Sequence, residues 1–592
     1  MRKHLLLFLM MMLPMVASAD AVEIDGIYYN LVTKAKVAVI TTNPNKYSGS
    51  VIIPETITFE GVEYAVTSIG DNAFYYCQEL TSISIPPSIT SIGTSAFGYC
   101  ENLQKVIIND IAAWCRIHFK VYDSNPLYYQ AHLYSNNNTE IKDLKIPSSI
   151  TTINDYTFNG CIGLTSVTFE GDITSIGEHA FEFCWNLTSI NFPLSLTYIG
   201  QSAFLGCRSL SSINIPYGIT KIEESAFRGC SSLTSVILPQ SVTSIGKYSF
   251  SMCSNLSSIK IPNGVIDIGF GAFSECSGLI SIIIPNSVTS IGRVAFSDCH
   301  EMVSVIIGNG VSTIVESTFA GCEKLTTLTI GKNVNCIGDN NFKNCYELAD
   351  VFIFSLDVPT SSSNTFDGSY IEYATLHVPA SSISLYQTAE PWSSFGTIKV
   401  IEYESPGNEN GDGYWSTYYN SMGNFEADDN TKVYTASLDE LQEKLVLTEV
   451  TDKIIKAGQG VILKSTNANA NLTYTSAEGT EGFYTNNALK GFDEATTTTA
   501  VEGTIYVLGE NSSKELGFYK YSGTTLNANK AYLEINASSA RQFYSIDDNT
   551  TDISRIMNAP KTTEQIFNLQ GQQVAHPSKG AYIVNGHKVI IK

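Results

Sequence analysis

Apolar and polar positions repeat every 23 residues through much of the sequence. Residues 187–278 hold four successive copies without a gap, close variants of L-x-S-I-x-I-P-x-x-V-T-S-I-G-x-x-A-F-x-x-C. The alternating start of each copy predicts a short strand that ends at proline, which cannot donate to a neighbouring strand. A second extended stretch ends at glycine, and A-F-x-x-C follows as a helical or 3₁₀ turn. A fixed period of this length predicts a β-rich repeat solenoid in which equivalent residues stack.

The periodic pattern covers residues 51–366, and the segments on either side of it read as caps. Residues 20–50 alternate apolar and polar positions around Asp-Gly and Asn-Pro turns, which predicts an N-terminal β cap. Residues 367–403 contain a serine-capped apolar segment and then a strand-like run, which predicts a C-terminal cap. Both open ends of a solenoid need such covers.

The remaining chain has a different character. Residues 404–413 (E-S-P-G-N-E-N-G-D-G) have the composition of a linker. In residues 414–555, strand-like runs alternate with Asn, Gly and Thr turns, which predicts a small all-β domain of the sandwich type. Residues 560–592 predict a short β tail with turns at glycine.

The first 19 residues predict a signal peptide. A short basic start precedes the apolar run L-L-L-F-L-M-M-M-L-P-M-V, and Ala17-Ser18-Ala19 forms a small-x-small cleavage site. No later stretch approaches the roughly 18 uncharged apolar residues of a membrane-spanning helix. We therefore expect an exported protein, extracellular or held at the outer cell surface.

The charge balance narrows the choice of partners. The chain carries 57 acidic and 35 basic residues, a formal net charge of −22. This excess of negative charge argues against nucleic acid and anionic lipid as partners. A protein or glycan ligand remains, and the oligomeric state is open.

Most of the cysteines follow the repeat. Eleven of the 13 recur at the same position of the 23-residue unit, interrupted by one gap of 61 residues: Cys77, Cys100, Cys161, Cys184, Cys207, Cys230, Cys253, Cys276, Cys299, Cys322 and Cys345. Stacked coils bring equivalent positions within about 4.8 Å, which allows disulfides in principle. Equivalent side chains point the same way, however, so we favour buried free thiols. A line of cysteines is also a poor metal site.

The search for reactive residues gives no candidates for catalytic, metal-ligating or cofactor-binding residues. The sequence lacks a G-x-S-x-G elbow, an H-E-x-x-H helix, a phosphate loop and a dinucleotide-binding glycine pattern. Serines without a neighbouring base are ordinary hydroxyls. We therefore expect no enzymatic activity and no cofactor.

Two regions are candidates for a partner-binding face. One is an outward-facing column in the C-terminal half of the solenoid, which contains Ile237, Lys260, Ile283 and Ile306. Exposed isoleucines there would form an apolar patch typical of partner surfaces, unless a loop or the second β region covers them. The other is the irregular passage 103–143, with Trp114, Tyr128 and Tyr129. It reads as a long repeat with a protruding loop, and a binding loop is the alternative.

The repeated unit, with its V-T-S-I-G-x-x-A-F-x-x-C half, resembles the BspA-like leucine-rich repeat family of bacterial surface proteins over about residues 51–400. The W-C-R-I-H-F and N-P-L-Y-Y segments resemble a long variant repeat of that family. The ending N-L-Q-G-Q-Q-V-A-H-P-S-K-G-A-Y-I-V-N-G-H-K-V-I-I-K resembles C-terminal sorting domains of the Bacteroidota type IX secretion route. The resemblance implies a leucine-rich repeat solenoid on a secreted or cell-surface protein, and some family members are similar to adhesins that bind host matrix proteins.

Two functional hypotheses follow. The first is a non-enzymatic surface protein whose solenoid binds a protein or glycan, with adhesion to host or neighbouring cells as its role. The alternative is a secreted carbohydrate-active or accessory protein in which the 414–555 domain binds or processes glycan. The lack of an acid/base or metal constellation favours the first.

Overall fold

The structure is a computed structural model, and it describes residues 21–411, 413–439, 444–477, 487–493, 496–497, 503–510, 516–535, 543–548, 566–568, 580–584 and 587–591. The predicted signal peptide lies outside the described residues. The chain divides into two units, one formed by residues 1–402 with 473–475 and the other by residues 403–472 with 476–592.

The first unit is a β-solenoid of about 14 turns, which confirms the predicted fold class. Most coils contribute one strand to a first strand row and one to a second strand row. The first row comprises Gly49–Ile52, Leu80–Ile85, Lys105–Ile108, His132–Ser135, Asp143–Ile146, Ser166–Phe169, Ser189–Ile190, Ser212–Asn214, Ser235–Ile237, Ser258–Ile259, Ser281–Ile284, Ser304–Ile307, Thr327–Ile330, Asp350–Ile353, Thr375–Val378 and Thr397–Val400. The second row comprises Val37–Ile40, Val62–Ile69, Ser91–Ile92, His118–Phe119, Thr152–Ile153, Ser175–Ile176, Tyr198–Ile199, Lys221–Ile222, Ser244–Ile245, Asp267–Ile268, Ser290–Ile291, Thr313–Ile314, Cys336–Ile337 and Thr360–Ser361.

Pairing within the regular coils is parallel and in register with the sequence period. Ser281 pairs with Ser304 and Ser304 with Thr327, so equivalent residues are direct neighbours. Threonines reinforce this register, since the hydroxyl of Thr197 donates to the carbonyl of Thr174 one coil earlier, at 3.0 Å. The strand alternation therefore places one apolar column inside the solenoid and one polar column outside it.

A column of phenylalanine rings fills the centre of the coils. Neighbouring rings stack with centroids between 4.9 Å, for Phe74 and Phe97, and 5.7 Å, for Phe319 and Phe342. Tyr47 packs against the first ring at 4.5 Å, and Trp392 meets the last ring, Phe366, edge-on at 5.5 Å. Both ends of the column are thus covered by other aromatic residues.

The cysteines form a second buried column. All 13 are free, and every one except Cys336 is buried. Nine of the eleven ladder thiols, all except Cys77 and Cys161, donate to a phenylalanine carbonyl of the preceding coil, at distances from 3.0 Å for Cys100 to 3.6 Å for Cys345. Burial raises the pKa of Cys100 and Cys276 to about 12, and it raises the pKa of other ladder thiols such as Cys207 well above the ordinary value. The structure agrees with the interpretation of these residues as small buried groups.

The N-terminal cap is smaller than the range 20–50 that the sequence predicts for it. Strands Val22–Ile24 and Ile27–Val32 form an antiparallel hairpin on Val37–Ile40. Val37–Ile40 itself pairs in parallel with Val62–Ile69, and Tyr47 takes the central ring position. Residues 37–47 are therefore a degenerate first coil. A further strand, Thr56–Phe59, pairs antiparallel with Val62–Ile69 and accounts for the insertion in the first repeat.

The C-terminal segment contains the predicted helix and strand. Short 3₁₀ turns at Ile371–Tyr373, Ala380–Ser382 and Trp392–Ser394 surround the helix Ile383–Tyr386, and the strand Thr397–Val400 closes the first row. Ser382 precedes the helix, but its hydroxyl donates to the carbonyl of Leu356 instead of capping the helix. The serine therefore fastens the helix to the last coil.

The second unit is all-β, as predicted. One sheet contains Asn408–Asn410, Gly413–Tyr418, Val461–Ser465, Thr431–Asp439, Lys444–Glu449, Phe543–Asp548, Leu516–Lys520, Thr504–Glu510, Lys530–Ile535 and Leu489–Phe492, in that order. A smaller sheet contains Glu402–Pro406, Asn469–Thr475, Asn424–Ala427 and Ile454–Ile455, and Thr496–Thr497 pairs with Thr525–Leu526.

The interpretation of residues 404–413 as a linker is wrong. Asn408–Asn410 pairs antiparallel with Gly413–Tyr418, so the segment forms one side of a hairpin. Its glycines serve close packing and turning: a Cβ on Gly407 would lie 2.9 Å from the Cβ of Tyr414, and Gly411 has a φ of 62°. A composition rich in Gly, Asn and Asp suits a hairpin turn as well as a linker.

The C-terminal tail contains three strands, Ile566–Asn568, Gly580–Val584 and His587–Ile591. They pair in an antiparallel sheet in chain order. This agrees with the strand-turn-strand pattern of the sequence.

Candidate binding surface

A group of tyrosines lies on the turns of the N-terminal coils. We call it the tyrosine cluster, and it consists of Tyr75, Tyr76, Tyr99, Tyr122, Tyr128 and Tyr129. Tyr75 and Tyr76 precede Cys77, Tyr99 precedes Cys100, and the other three come from the passage where the 23-residue period breaks. The cluster thus combines two regular coils with the irregular one.

The rings contact one another in two sets. Tyr75 and Tyr99 meet edge-on with centroids 5.6 Å apart, and Tyr76 lies 5.9 Å from Tyr99. Tyr128 lies 4.8 Å from Tyr122 and 5.0 Å from Tyr129. The two sets are joined because the backbone N–H of Tyr99 donates to the hydroxyl oxygen of Tyr129 at 2.9 Å.

Much of this aromatic surface is open to solvent. Tyr76, Tyr99 and Tyr122 are 51%, 46% and 48% exposed, and Tyr75 is 36% exposed. Tyr128 and Tyr129 are half-buried beneath them. Burial raises the pKa of the Tyr128 and Tyr129 hydroxyls, and the Asp123 carboxylate contributes to both shifts. These two phenols therefore stay protonated at neutral pH.

Two tyrosines of the cluster have a left-handed backbone conformation. Tyr76 and Tyr99 have φ angles of 62° and 58°. At the same point of other coils the chain uses glycine, for example Gly206 and Gly229. A left-handed residue with a side chain costs about 1–2 kcal/mol relative to the right-handed conformation. Further coils place Phe183, Met252 and Glu275 at this point with the same left-handed backbone, so the position accepts side chains of several kinds.

Gly98 and Asp123 shape the floor of the cluster. A Cβ on Gly98 would lie 2.9 Å from Cδ2 of Tyr75 and 3.2 Å from Oδ2 of Asp123, so the ring and the carboxylate rest directly on this glycine. Asp123 is 9% exposed, and its Oδ1 accepts no hydrogen bond from any described residue. A negative charge with spare acceptor capacity therefore lies just beneath the exposed rings.

Trp114 does not belong to the surface. It lies in the helix Ile111–Arg116, is 1% exposed, and its Nε1 donates to the carbonyl of Thr157 at 3.0 Å. The N–H of Phe74 donates to the carbonyl of Ala96, the residue just before the next ring. The N–H of Phe97 donates in the same way to the carbonyl of Asp123. The residue after Asp123, the small Ser124, therefore occupies the central ring position of the irregular coil. The interpretation of Trp114 as a partner-binding residue is wrong, because the indole is part of the core where the regular ring is missing.

The column of isoleucines does not form a continuous patch. Ile237 is 62% exposed and Lys260 is exposed, whereas Ile283 is half-buried and Ile306 is only 8% exposed. Ile306 lies between Ile283 and Thr329 in the ladder, which flank it on both sides. The expectation that Ile306 is exposed is wrong. Ile237 stands alone beside Asn214 and Lys260, in a polar stretch of the column.

Sequence reasoning found Tyr128 and Tyr129 and missed Tyr75, Tyr76, Tyr99 and Tyr122. The available signal was the residue before each repeat cysteine, which is tyrosine in the first two copies and glycine in several later ones. That contrast is visible in the sequence, but its meaning depends on the left-handed backbone at the position.

Other kinds of site have no support in the described part of the chain. Among the described residues, no group of three or more His, Cys, Asp or Glu side chains could hold a metal ion. Within those same residues, no helix has the length and apolar character needed to cross a membrane.

The stacked coils, the central ring column and the cysteine ladder define a leucine-rich repeat solenoid. The chain belongs to the BspA-type leucine-rich repeat family: six copies of the family's repeat region match residues 54–120, 130–257 and 243–372, which is more than half of the chain. No curated protein matches the chain.

Several solved bacterial structures are similar. A leucine-rich repeat protein from Bacteroides ovatus is 26% identical with a TM-score of 0.42, over 64% of this chain and 100% of that one. A leucine rich cell surface protein from Faecalibacterium prausnitzii is 24% identical with a TM-score of 0.33, over 65% and 95%. The pneumococcal vaccine antigen PcpA is 18% identical with a TM-score of 0.33, over 65% and 100%.

Proposed function

We propose that this is a non-enzymatic exported or cell-surface protein whose solenoid binds a protein partner through the tyrosine cluster. The observation that carries the proposal is the contiguous group of six tyrosines, four of them more than a third exposed, on a rigid set of coils. Membership of a repeat family found on bacterial surface proteins supports the location. Adhesion to a host or neighbouring cell is the role that fits such a protein.

Tyrosine is well suited to this task. Its ring supplies a large apolar contact area at low cost in side-chain entropy, and its hydroxyl supplies a hydrogen bond at the edge of the contact. Tyrosines are enriched at protein interfaces and among the residues that dominate binding energy. The coils beneath the cluster hold the rings in place before a partner arrives, which reduces the ordering cost of association.

The net charge of the chain and the Asp123 carboxylate favour a partner with basic side chains. The chain has a net charge of −22, and Asp123 offers an acceptor under the rings. Lysine or arginine side chains interact favourably with aromatic faces and with carboxylates at the same time. The column at Ile237 and Lys260 remains a second, untested candidate face.

The test uses the full exported chain and a displayed library of twelve-residue peptides. Peptides selected on the protein should contain Lys or Arg next to apolar residues, and they should lose binding to the Tyr75→Ala/Tyr99→Ala variant. Tyr217→Ala is the matched control, because Tyr217 is 71% exposed and lies outside the cluster. It should bind the peptides like the unmodified protein.

Three outcomes would overturn the proposal. The first is peptides that bind the double variant and the unmodified protein equally, and the second is no enrichment at all. The third comes from a glycan array probed in parallel: glycan signals that disappear in the double variant would assign the cluster to glycan.

The proposed export is tested separately by N-terminal sequencing of the secreted protein, which should begin at Asp20. Deletion of residues 560–592, the proposed sorting tail, should keep the protein from reaching the cell surface.

A further inference from the structure

A cleft of about 350 Å³ opens within the second unit. It lies between the main apolar core of that unit, which includes Trp415 and Ala531, and a smaller cluster formed by Ile505, Leu526 and Tyr532. Its volume falls in the range of about 300–1,000 Å³ that is typical of small-molecule sites.

Lys530 is a half-buried lysine that lines the cleft. Its ammonium donates to the hydroxyl of Ser405 at 3.0 Å, and among the described residues no carboxylate forms an ion pair with it. Burial lowers the pKa of Lys530 because the charged form is partly removed from water. By contrast, Lys490, on the same sheet, pairs with Glu534 at 2.8 Å. In a chain with a net charge of −22, a half-buried cation without an acid is an unusual arrangement.

The walls around this cation combine aromatic rings, of which Trp415 and Tyr532 are largely buried, with neutral hydrogen-bonding groups. Trp415, Tyr521 and Tyr532 supply the rings, and Asn408 and Asn527 stand among the polar residues of the lining. Further hydroxyl groups come from Ser416, Thr417 and Thr525. Aromatic faces accommodate the C–H surface of a ring-shaped polar ligand, while amides and hydroxyls match the hydroxyl groups of a sugar.

We propose that this cleft binds a carboxylate-bearing sugar, with the carboxylate on Lys530 and the sugar ring against the aromatic wall. An acidic peptide would supply the same carboxylate, but it would not use the combination of flat rings and neutral hydroxyl and amide groups. The proposal gives the alternative of a glycan-binding β domain a specific site and a ligand class. It is independent of the tyrosine cluster, which lies in the other unit.

Lys530 also predicts how binding depends on pH. The ligand needs the ammonium form, so affinity should be constant at neutral pH and fall as the pH rises through the pKa of Lys530. Because the pKa of this lysine is lowered, the fall should come at lower pH than for an exposed lysine. A carboxylate bound to Lys530 would in turn raise its pKa, so binding in the alkaline range should take up protons.

The experiment is calorimetric titration of the full chain with trimers of galacturonate, glucuronate and mannuronate and with sialyllactose. Neutral galactose and glucose trimers serve as matched ligands. An Asp-containing tripeptide tests whether a peptide carboxylate binds in place of a sugar carboxylate. At least one acidic sugar should bind at least 10-fold more tightly than its neutral counterpart. Lys530→Gln should weaken that binding at least 10-fold, and Lys530→Arg should retain most of it.

Controls separate loss of the site from loss of the fold. Lys432→Gln removes an exposed lysine that pairs with Glu449, and it should leave affinity unchanged. Asn527→Ala changes an exposed residue of the lining and should weaken binding severalfold with an unchanged melting temperature. The proposal is overturned if no acidic sugar binds, if neutral and acidic sugars bind alike, if only the tripeptide binds, or if Lys530→Gln binds normally.

Discussion

The hydroxyl of Ser369 donates a 2.6 Å hydrogen bond to the carbonyl of Phe342. In the preceding coils a cysteine thiol makes the equivalent bond, for example from Cys345 to Phe319. Ser369 also accepts a bond from the N–H of Cys345 at 2.8 Å. The cysteine ladder is therefore a column of hydrogen-bond donors as well as a column of small buried groups, and its last member is an alcohol.

This donor role predicts an order of stability for substitutions in the ladder. The thiol of Cys253 donates to the carbonyl of Phe227 at 3.3 Å. Cys253→Ala leaves that buried carbonyl without its donor and opens a small void, and should cost about 1–3 kcal/mol in the free energy of unfolding. Cys253→Ser keeps a donor and should cost about 1 kcal/mol less than alanine. Denaturant unfolding measures both.

Cys336 provides the control for this series, because it is the cysteine that is not buried. Cys336→Ala should change stability by less than about 1 kcal/mol. If alanine and serine at position 253 were equally destabilising, the thiol-to-carbonyl bond would have no energetic role.

Stability should fall steeply in alkaline solution. Burial raises the pKa of Cys276 from 9.0 to about 12, so the native thiol keeps its proton while the unfolded thiol loses it above pH 9. The unfolded state then binds fewer protons, so stability is fully present below pH 9 and decreases as the pH rises toward 12. Each such thiol contributes up to about 1.4 kcal/mol per pH unit. Melting temperatures between neutral pH and pH 10.5, measured with reductant, test this.

The matched variant for that measurement is Cys276→Ala. It should be less stable at neutral pH, but its stability should decline less steeply above pH 9. Parallel pH profiles for the two proteins would contradict the burial of the thiol.

The core position of Trp114 predicts a stability effect without a specific binding effect. Trp114→Ala should cost about 3–5 kcal/mol, because it empties the space beside Phe119, whose ring centroid lies 5.3 Å away. Trp114→Phe keeps a ring but loses the bond to Thr157, and should cost about 1–3 kcal/mol. Folded Trp114→Phe protein should bind the selected peptides normally. Normal stability with impaired peptide binding would indicate instead that Trp114 contacts the partner.

A substitution at Gly98 should weaken peptide binding with little change in stability, the reverse of the effect expected at Trp114. In Gly98→Ala the new Cβ would lie 2.9 Å from the Tyr75 ring, which is exposed at its edge and can move. Stability should change by about 1 kcal/mol or less, while peptide binding should weaken about 5- to 10-fold, because the cluster loses its arrangement. The control is Gly509→Ala, whose Cβ would lie at an ordinary 3.6 Å from Tyr519. Unchanged peptide affinity in Gly98→Ala would show that Tyr75 is not a contact residue.

The solenoid fold was predictable because the regular coils bury the same residue types at the same positions. Phe181 and Cys184 recur at a fixed spacing, and stacking neighbours bury both, so the period alone indicates the core. The all-β character of the second unit was equally visible in its alternating runs. The role of residues 404–413 was not, since glycine and asparagine favour a hairpin and a linker alike.

The candidate site was only partly predictable, because it depends on which coils become neighbours. Tyr99 and Tyr129 are 30 residues apart, which is not the repeat period, and only the folded irregular coil brings them together. The burial of Trp114 has the same origin, since nothing in the sequence shows that Ser124 takes the ring position. The sequence period identifies the buried scaffold, whereas the tyrosine cluster forms where the period is interrupted.

The aromatic covers at Tyr47 and Trp392 have a consequence for how the number of repeats can change during evolution. Because the ring column is closed at both ends and the regular coils present the same two faces, a whole 23-residue unit of the regular part can be duplicated or lost without exposing a new apolar end. Each such event would alter the reach of the molecule by about 4.8 Å. The tyrosine cluster would be carried along unchanged, so reach and recognition can be inherited separately.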